Sequence, residues 1–487
     1  VVARQATGWA VRYADGAGTE LPKDEWVPTA RDTVYDMASV SKLFTSIVLM
    51  QQVEAGRVDL DAPVATYVPE FAANGKEGVT VRQLLTHTGG LPAWLPLYSA
   101  YPDRASRIQA ALTAKPVSAP GTQYLYSDIG MITIGVVAER VSGRSLDRLV
   151  ADGITTPLAM VDTGYNPTGS QLDRAAATEF QAVPARGMVR GQVHDENAWS
   201  LGGVAGHAGV FSTAADMSVL AQTLLNGGSY RGHRILSEGS VEAMTTNQNA
   251  AFAGNDHGVG LELNQRWYMG GLSGPRTAGH TGYTGTSLVL DLTSRSFAIL
   301  LSNRVHPSRN WGSVNPVRRA VAQGLALSLA VLPRHGPTAW ATPSLDATTS
   351  VLQAPVELPA SGGRLSFDLF VDTEATDVLA LEASSDGGTT WQPVPFTTRD
   401  RGGVVPRDGT IAGSGHRTWW RAAADLGRAD GAAGQLLVRW RFATDATNLG
   451  RGVVVDGVRV TGGGSVLLDG ERHPEAFAAT GWTAVRR

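Results

Sequence analysis

The fold is decided by the stretch Met37-Ala38-Ser39-Val40-Ser41-Lys42 and by the apolar run that follows it as far as Gly56. Apolar side chains recur there at helical spacing, which predicts a helix over residues 41–56 that ends at the glycine. Side chains three positions apart lie on one face of a helix, so Lys42 is expected beside Ser39. The amino end of the helix favours negative charge on the serine oxygen. Because a serine hydroxyl needs a base before it can attack, this pair is a candidate for nucleophile and activator; the alternative is a capping serine followed by a solvent-facing lysine.

Two other short motifs carry side chains that fit the same chemistry. The first is Tyr126-Ser127-Asp128, and the second is His280-Thr281-Gly282, which Tyr283-Thr284-Gly285 follows at the start of a predicted strand. A tyrosine whose pKa is lowered by a nearby ammonium can carry a proton. A strand edge with small residues can lie beside a peptide and donate a backbone N–H to an oxyanion. Taken singly, each motif is more commonly structural.

Together the three motifs resemble the active-site set of the serine β-lactamase and penicillin-binding-protein family, which is Ser-x-x-Lys, then Tyr-x-Asn, then Lys-Thr-Gly. Two further segments, residues 81–92 and residues 206–217, resemble the class C β-lactamase-like branch of that family. The resemblance covers Gly8 to about Leu332. It implies an α+β (mixed α/β) domain of the β-lactamase/transpeptidase type, in which helices flank an antiparallel sheet.

The resemblance also implies residue roles. The catalytic residues would be Ser39, which carries the acyl group, Lys42, which activates it, and Tyr126, which passes a proton to the leaving group. Substrate contacts are implied for five residues: Asp128, His280, Thr281, Gly282 and Tyr283. The backbone N–H groups of Ser39 and Tyr283 would form the oxyanion hole. The general base stays open between Lys42 and Tyr126, which we treat as a coupled pair.

Two positions depart from the family pattern. Asp128 stands where the family has asparagine, so an acceptor-only carboxylate replaces an amide. His280 stands where the family has lysine, so a fixed cation becomes a group with a reference pKa of about 6.5. Both changes are expected to weaken recognition of penicillins or of a terminal D-alanine carboxylate. If protonated His280 binds a substrate carboxylate, KM should rise above about pH 6.5.

The sequence therefore predicts a serine hydrolase that acts through an acyl-enzyme on small amides or esters. D-Amino-acid peptides are among the expected substrates, in the manner of a carboxypeptidase or a D-aminopeptidase. The alternatives are a true β-lactamase and a catalytically weak or inactive protein of the same fold that binds cell wall or another glycan. No cofactor is expected.

The residues after about 332 have a different sequence pattern. Residues 1–332 are predicted to form the hydrolase domain, residues 333–344 a proline-rich linker, and residues 345–487 an all-β, jelly-roll-like sandwich with a cell-wall or glycan contact as its expected partner. Its predicted strands are Arg364–Val371, Val378–Ala383, Gln435–Phe442 and Val453–Val460. Ser384–Trp391 resembles an Asp-box, which stabilises a hairpin turn. For Trp419, Trp420 and Trp440 we favour a place in the sandwich core over a carbohydrate platform.

The composition excludes several classes of function. The hydrophobic fraction is 43% and the charged fraction 17%, as in an ordinary globular protein. A net charge of −3 gives no basic face for nucleic acid, and the chain lacks cysteine. No apolar run has membrane-spanning length. His194-Asp195-Glu196 with His207 has ligand types that suit zinc, but we favour a loop near the site and predict no metal. A removed signal peptide and secretion are expected.

Overall fold

The computed structural model describes residues 3–400, 403–428, 431–446 and 449–486. The chain divides into two compact units, which are Val1–Met269 with Ser273–Ala322, and Gly270–Leu272 with Gln323–Arg487. We call them the α+β unit and the all-β unit. Within the described ranges, every helix falls short of the length and apolar character that crossing a bilayer requires.

The α-helices of the described residues lie between residues 41 and 328. They are α1 (Ser41–Glu54), α2 (Val81–Leu85), α3 (Leu97–Ala100), α4 (Arg104–Leu112), α5 (Asp128–Ser142), α6 (Leu146–Val150), α7 (Ser170–Asp173), α8 (Glu196–Ser200), α9 (Ala214–Leu225), α10 (Glu238–Thr245), α11 (Arg266–Met269) and α12 (Asn315–Ser328). The predicted helix over residues 41–56 is confirmed, with its last α-helical residue at Glu54. Gly56 follows in the left-handed region at φ +68°, where a glycine is favoured.

The strands of the α+β unit are short. They are β1 (Trp9–Val11), β2 (Val27–Pro28), β3 (Tyr35–Asp36), β4 (Gly164–Tyr165), β5 (Ala177–Gln181), β6 (Gly187–Arg190), β7 (Val210–Ser212), β8 (Ser229–Tyr230), β9 (His233–Arg234), β10 (Glu262–Leu263), β11 (Thr277–Thr281), β12 (Ser287–Asp291) and β13 (Ser296–Leu300). An antiparallel sheet has the order β10-β11-β12-β13, and a second has the order β3-β7-β4. The predicted α+β class, with helices around an antiparallel sheet, is confirmed.

Two helices form the centre of this unit. α1 and α5 pack against each other, and both bury residues on every face rather than along one stripe. A helix that is apolar all round belongs in an interior. The polar side chains at the start of α1 are therefore buried as well, and each of them needs a hydrogen-bond partner from another part of the chain.

The all-β unit contains two antiparallel sheets. Its strands are β14 (Thr338–Ala341), β15 (Thr349–Leu358), β16 (Gly363–Asp372), β17 (Val378–Ser384), β18 (Gln392–Pro393), β19 (Phe396–Asp400), β20 (Gly403–Arg407), β21 (Thr410–Ile411), β22 (Ser414–Leu426), β23 (Gly434–Ala443), β24 (Gly452–Gly462), β25 (Ser465–Asp469), β26 (Ala478–Thr480) and β27 (Thr483–Arg486). One sheet has the order β20-β19-β22-β16-β24-β14-β27, and the other has the order β18-β17-β23-β15-β26. Buried side chains of both sheets join one apolar cluster, so the region is all-β as predicted. The jelly-roll topology stays a prediction.

The predicted core placement of Trp420 and Trp440 is confirmed, and so is the Asp-box turn. Trp440 is 1% exposed and Trp420 is 9% exposed, and both belong to the apolar cluster. Trp419 is half-buried against Phe370, with ring centroids 5.9 Å apart, in a separate small cluster, so its predicted place in the sandwich core is wrong. The Asp386 carboxylate accepts a hydrogen bond from the Thr390 backbone N–H at 2.9 Å, which closes the Asp-box turn.

The proline-rich stretch at residues 333–344 is more ordered than a plain connector. Thr338–Ala341 forms β14, which pairs with both β24 and β27. This part of the stretch therefore belongs to a sheet of the all-β unit. The boundaries at residues 332 and 345 stay predictions.

Candidate active site

Ser39 lies in a 3₁₀ turn, Ala38–Val40, that runs directly into α1. Ala38 has a φ of +47°, which is uncommon for a residue with a side chain. The carboxylate of Asp36 accepts hydrogen bonds from the Ala38 N–H at 2.8 Å and from the His194 N–H at 2.6 Å. The buried Asp36 therefore holds the unusual turn that presents Ser39 at the start of the helix.

The start of α1 is bonded to the segment at residues 206–210. Thr45 donates its hydroxyl hydrogen to the Gly206 carbonyl at 2.8 Å, and the Val210 N–H donates to the Ser41 hydroxyl at 3.0 Å. A side chain at Gly206 would meet the Met131 carbonyl of α5 at 2.0 Å, so only glycine allows this close approach. The backbone of the segment is thereby placed beside Lys42.

Lys42 is 1% exposed, and its Nζ is surrounded by oxygen atoms, the Tyr126 hydroxyl among them. It donates to Ser39 Oγ at 2.8 Å and to the His207 carbonyl at 3.1 Å, and it forms an ion pair with Asp128 Oδ1 at 2.7 Å. The expected proximity of Lys42 and Ser39 is thus present. Burial works against the ammonium, but the charge of Asp128 outweighs it and raises the pKa of Lys42 above its ordinary value.

Tyr126 lies two residues before α5, against Lys42. Its ring centroid is 4.7 Å from Lys42 Nζ and 4.5 Å from the centre of the His87 ring. His87 Nδ1 accepts a hydrogen bond from the Ser127 N–H at 3.1 Å, which fixes the backbone next to Tyr126. Burial raises the pKa of Tyr126 to about 12, although Lys42 lowers it. The expectation of a lowered tyrosine pKa is therefore wrong, because desolvation exceeds the effect of the ammonium.

Asp128 is the first residue of α5, where a carboxylate is favoured by the helix dipole. The Ser127 side chain caps the same helix by accepting from the Gly130 N–H at 3.1 Å. The sequence predicted that Asp128 contacts substrate. In the structure it lines a cavity beside Ser39, but its Oδ1 is engaged by Lys42.

Gly282 continues the line of β11 toward Ser39. β10 pairs only with Ala278 and Gly279 of β11, so the edge at His280 and Thr281 is not covered by β10. A side chain at Gly282 would meet the Met37 carbonyl at 2.4 Å, so the glycine lets this edge lie directly against the turn that carries Ser39.

The turn that follows β11 is hydrogen-bonded to the residues just before Ser39. Thr284 donates its hydroxyl hydrogen to the Asp36 carbonyl at 2.7 Å, and Thr286 donates to the Met37 carbonyl at 3.0 Å. These bonds bring Tyr283 beside Ser39. Formation of an oxyanion hole by their backbone N–H groups stays a prediction.

His280 is 2% exposed, and its Nδ1 is 2.8 Å from the Thr281 carbonyl. Burial and the charge of Lys42 lower the pKa of His280 to about 3. The imidazole is therefore neutral at neutral pH. The prediction that a protonated His280 meets a substrate carboxylate is wrong, because burial, and after it the nearby Lys42 ammonium, disfavours the charged imidazole.

Tyr283 is 49% exposed and sits among charged groups. The guanidinium carbons of Arg304 and Arg309 lie 4.8 Å and 5.7 Å from its ring centroid, and the His194 ring stacks on it at 5.8 Å. Arg309 is in turn bonded to the carboxylate of Glu179 at 2.7 Å. Tyr283 is thus held by its neighbours although its ring reaches solvent.

Two cavities meet at Ser39. The larger, of about 560 Å³, is lined among others by Tyr124, Glu262, Trp267, His280, Arg304 and Arg318. The smaller, of about 310 Å³, is lined among others by Trp94, Asp128, His194, Asp195, Glu196 and His207. Ser39, Tyr126, Tyr283 and Arg309 line both. A substrate bound across Ser39 would therefore have one cavity for each side of the scissile bond.

The cluster around His194 lies beside the site, as the loop interpretation predicted. His207 Nε2 is 2.8 Å from Asp195 Oδ1, and His194 Nε2 is 2.9 Å from Glu179 Oε2. Each histidine thus has its own carboxylate partner. Sequence reasoning missed Asp36, Glu179 and Arg309, because they act through partners far away in the chain.

The β-lactamase family, described as "Beta-lactamase", matches residues 3–323. The chain belongs to this family, and it is a serine hydrolase. A protein of Escherichia coli K12 described as "Putative D-alanyl-D-alanine carboxypeptidase" is 34% identical over 341 residues, covering 63% of this chain and 76% of that protein. A Salmonella enteritidis PT4 protein with the same description is 31% identical over 350 residues, covering 65% of this chain and 79% of that protein.

Solved structures share the fold of the α+β unit. A penicillin-binding-protein homologue from Caulobacter crescentus matches with a TM-score of 0.50 and 23% identity, covering 64% of this chain and 87% of that one. A class C β-lactamase matches with a TM-score of 0.51 and 19% identity, covering 62% of this chain and 84% of that one. The family match ends at residue 323, before the strands of the all-β unit begin.

Proposed function

We propose that Ser39 is the acylated nucleophile of this hydrolase and that Lys42 and Tyr126 handle its proton. The observation that carries the proposal is the 2.8 Å contact between Lys42 Nζ and Ser39 Oγ, made where two cavities meet. An ammonium held against a hydroxyl in a desolvated cleft stabilises the developing alkoxide far better than water does.

The reaction proceeds in two halves. Ser39 Oγ attacks the substrate carbonyl and forms an ester with the acyl part, while the proton that leaves the serine goes to the leaving nitrogen or oxygen through Lys42 and Tyr126. Water then attacks the ester and frees Ser39. The edge at His280 and Thr281, which β10 leaves uncovered, is suited to align an extended substrate through β-type bonds.

For the substrate, we propose a small peptide that ends in a D-amino acid with a free carboxylate. Two features support this class. Arg304 and Arg318 line the larger cavity and bring the positive charge that His280 lacks. The Escherichia coli and Salmonella relatives are described as D-alanyl-D-alanine carboxypeptidases.

A small ester is the second candidate. The rings of Trp94, Trp267 and Tyr283 are 43%, 42% and 49% exposed where they line the cavities. Exposed aromatic rings beside a neutral His280 favour an uncharged, apolar acyl or alcohol part.

The nucleophile is tested with Ser39→Ala and, as a matched control, Ser99→Ala, which changes an exposed serine of α3. Ser39→Ala should abolish turnover of a chromogenic ester and should take up no mass from a fluorophosphonate. Ser99→Ala should behave as the unchanged protein does. An adduct located on another residue, or activity retained by Ser39→Ala, refutes the assignment.

The substrate class is tested with pairs of peptides that differ in one feature. Cleavage of a peptide ending in D-Ala-D-Ala, with little cleavage of its C-terminal carboxamide or of its L,L form, supports the carboxypeptidase assignment. Equal cleavage of acid and amide, with faster cleavage of esters, supports the ester candidate. Rapid turnover of nitrocefin identifies a β-lactamase instead.

We further propose that the protein is secreted and that the all-β unit contacts cell wall. Both proposals come from the sequence and from the peptide class above. Sedimentation with insoluble peptidoglycan tests the contact, with Ser39→Ala as the non-hydrolysing probe. A protein that sediments with cell wall but takes up no fluorophosphonate would be the inactive binder.

A further inference from the structure

The Lys42 ammonium donates two hydrogen bonds, forms an ion pair with a buried carboxylate oxygen that lacks any other partner among the described residues, and also contacts the Tyr126 hydroxyl. Ser39 Oγ lies at 2.8 Å, the His207 carbonyl at 3.1 Å and Asp128 Oδ1 at 2.7 Å. An ammonium has three donors and no lone pair, so in this arrangement Lys42 cannot accept the proton of Ser39. One of its own protons has to leave first.

The contacts of Nζ show where that proton can go. The His207 carbonyl is a weak base, and Ser39 is itself the group to be deprotonated. Asp128 is the carboxylate that the described residues place in ion-pair contact with Lys42 Nζ, at the shortest of the three distances. Its side chain is 20% exposed, so little water competes for that contact.

Tyr126 is a weaker candidate for the acceptor. Its hydroxyl would have to be ionised beforehand, and burial raises its pKa to about 12. It therefore meets Ser39 as a neutral phenol, which donates a proton more readily than it accepts one.

We propose that Asp128 is the final acceptor of the Ser39 proton during acylation, a role that rests on the proposed function of Ser39. As Ser39 Oγ bonds to the substrate carbonyl carbon, its O–H bond breaks and that hydrogen bonds to Lys42 Nζ. One N–H bond of Lys42 breaks at the same time, and its hydrogen bonds to Asp128 Oδ1. Lys42 is an ammonium before and after, and the negative charge moves from Asp128 to the oxyanion.

The proton returns in the second half of acylation. Asp128 gives its hydrogen back to Lys42 Nζ, Lys42 passes one to the Tyr126 hydroxyl, and Tyr126 passes its own to the leaving nitrogen or oxygen as the bond to the carbonyl carbon breaks. Asp128 ends as a carboxylate and Tyr126 as a neutral phenol. In this series of steps Asp128 takes a proton from Lys42 and returns it. The family's asparagine cannot take a proton at that position.

The test compares the pH profiles of kcat/KM for the unchanged protein, Asp128→Asn and, as a matched control, Asp173→Asn, which removes an exposed carboxylate of α7. In Asp128→Asn, solvent has to remove the Lys42 proton. Activity at pH 7 is then expected to fall about 100-fold or more, the scale of a lost acid–base group. It should rise about tenfold per pH unit toward pH 10, the slope of a single deprotonation, while the other two proteins show no such rise.

Other ionisable groups near Lys42 do not mimic this result. The histidines His87 and His280 have pKa values lowered by burial, so both are neutral at neutral and alkaline pH. Glu262, whose pKa burial raises to about 7, is present in all three proteins. The inflection that it causes is therefore common to the three profiles and cancels in the ratio.

A further variant keeps the test decisive if the activity of Asp128→Asn is too low to measure well. Asp128→Glu restores the carboxylate and should recover activity at pH 7 without the alkaline rise, and fluorophosphonate labelling of Asp128→Asn at pH 10 confirms a folded site. Activity of Asp128→Asn within about threefold of the unchanged protein at pH 7 overturns the proposal, since loss of an acid–base group is larger. A loss of kcat/KM that comes from KM alone, with the shape of the pH profile unchanged, also overturns the proposal. Failure of the Ser39 assignment is separate, because it appears in Ser39→Ala and in the adduct position.

Discussion

Replacing Glu179 with glutamine should destabilise the α+β unit at neutral pH and leave its stability nearly unchanged in acid. The Glu179 side chain is 7% exposed and is bonded to His194 at 2.9 Å and to Arg309 at 2.7 Å. Burial works against its ionisation, but these two partners outweigh it and lower the pKa of Glu179 to about 2, from an ordinary 4.5. The carboxylate is therefore more stable in the folded chain than in the unfolded one.

The size of the effect follows from the pKa difference. One pKa unit corresponds to about 1.4 kcal/mol, so a lowering from 4.5 to about 2 gives at most about 3 kcal/mol. The Arg309 side chain is 35% exposed, and solvent screening there reduces the expected stabilisation by the Glu179 carboxylate to about 2 kcal/mol. Because the folded pKa is the lower one, this stabilisation is complete above about pH 5 and disappears as the pH falls toward 2.

The assay is urea unfolding at several pH values, followed by tryptophan fluorescence and by loss of esterase activity, which reports the α+β unit. Glu77→Gln, which changes an exposed glutamate, is the control and should change the free energy of unfolding by less than about 0.5 kcal/mol. Glu179→Gln should also lower kcat, since Arg309 and His194 hold Tyr283. A destabilisation of equal size at pH 7 and pH 3 would refute the electrostatic account.

Three more outcomes follow from the site. The pH dependence of KM for carboxylate substrates between pH 5 and 8 should be the same in His280→Gln as in the unchanged protein in steady-state assays, because His280 has a pKa of about 3 and stays neutral. Tyr126→Phe should lower kcat about 100-fold with KM within about threefold, since a proton-transfer group is lost while the ring remains; stopped-flow acylation rates check this. Burial raises the pKa of Glu262 to about 7, so its ionisation costs folding energy as the pH rises through that value. Glu262→Gln should therefore stabilise the protein by about 1–2 kcal/mol at pH 9 and not at pH 4, measured by urea unfolding.

Part of the site could be predicted because its members are close in the chain. Ser39 and Lys42 are separated by one turn, and helical spacing alone places their side chains together. The other motifs required the family resemblance, since no local rule joins Tyr126 or His280 to Ser39. The strand β23 followed from alternation, because it buries every second side chain along most of its length, whereas α1 followed from its apolar run, since it is buried on every face.

The rest depends on tertiary burial and on backbone groups. The His207 carbonyl that binds Lys42 carries no signature in the sequence, since every residue has a carbonyl. The charge state of His280 and the pKa of Tyr126 reverse the sequence expectation because both side chains are desolvated, which the local sequence does not show. Asp36 supports Ser39 through the Ala38 backbone, an arrangement visible only once the turn is folded.

The two departures from the family pattern are best understood together. A second lysine at position 280 would lower the pKa of Lys42 by repulsion, and an asparagine at position 128 would leave Lys42 without a counter-charge. Lys42 would then be a base on its own. In this chain Asp128 raises the pKa of Lys42, and His280 adds no charge. In our proposal the carboxylate, which is in ion-pair contact with Lys42 Nζ, takes the proton instead.

A double-mutant cycle separates these two arrangements. His280→Lys alone should lower activity at pH 7, because it buries a second ammonium beside Lys42 while Asp128 still holds the proton. Added to Asp128→Asn, the same change should raise kcat/KM at pH 7 by about tenfold or more over Asp128→Asn, because a pKa lowered by one unit frees about ten times as much neutral Lys42. The sign of the His280→Lys effect is thus expected to reverse with the residue at position 128. A double variant no more active than Asp128→Asn would mean that the two positions act independently and that Asp128 does not set the proton state of Lys42.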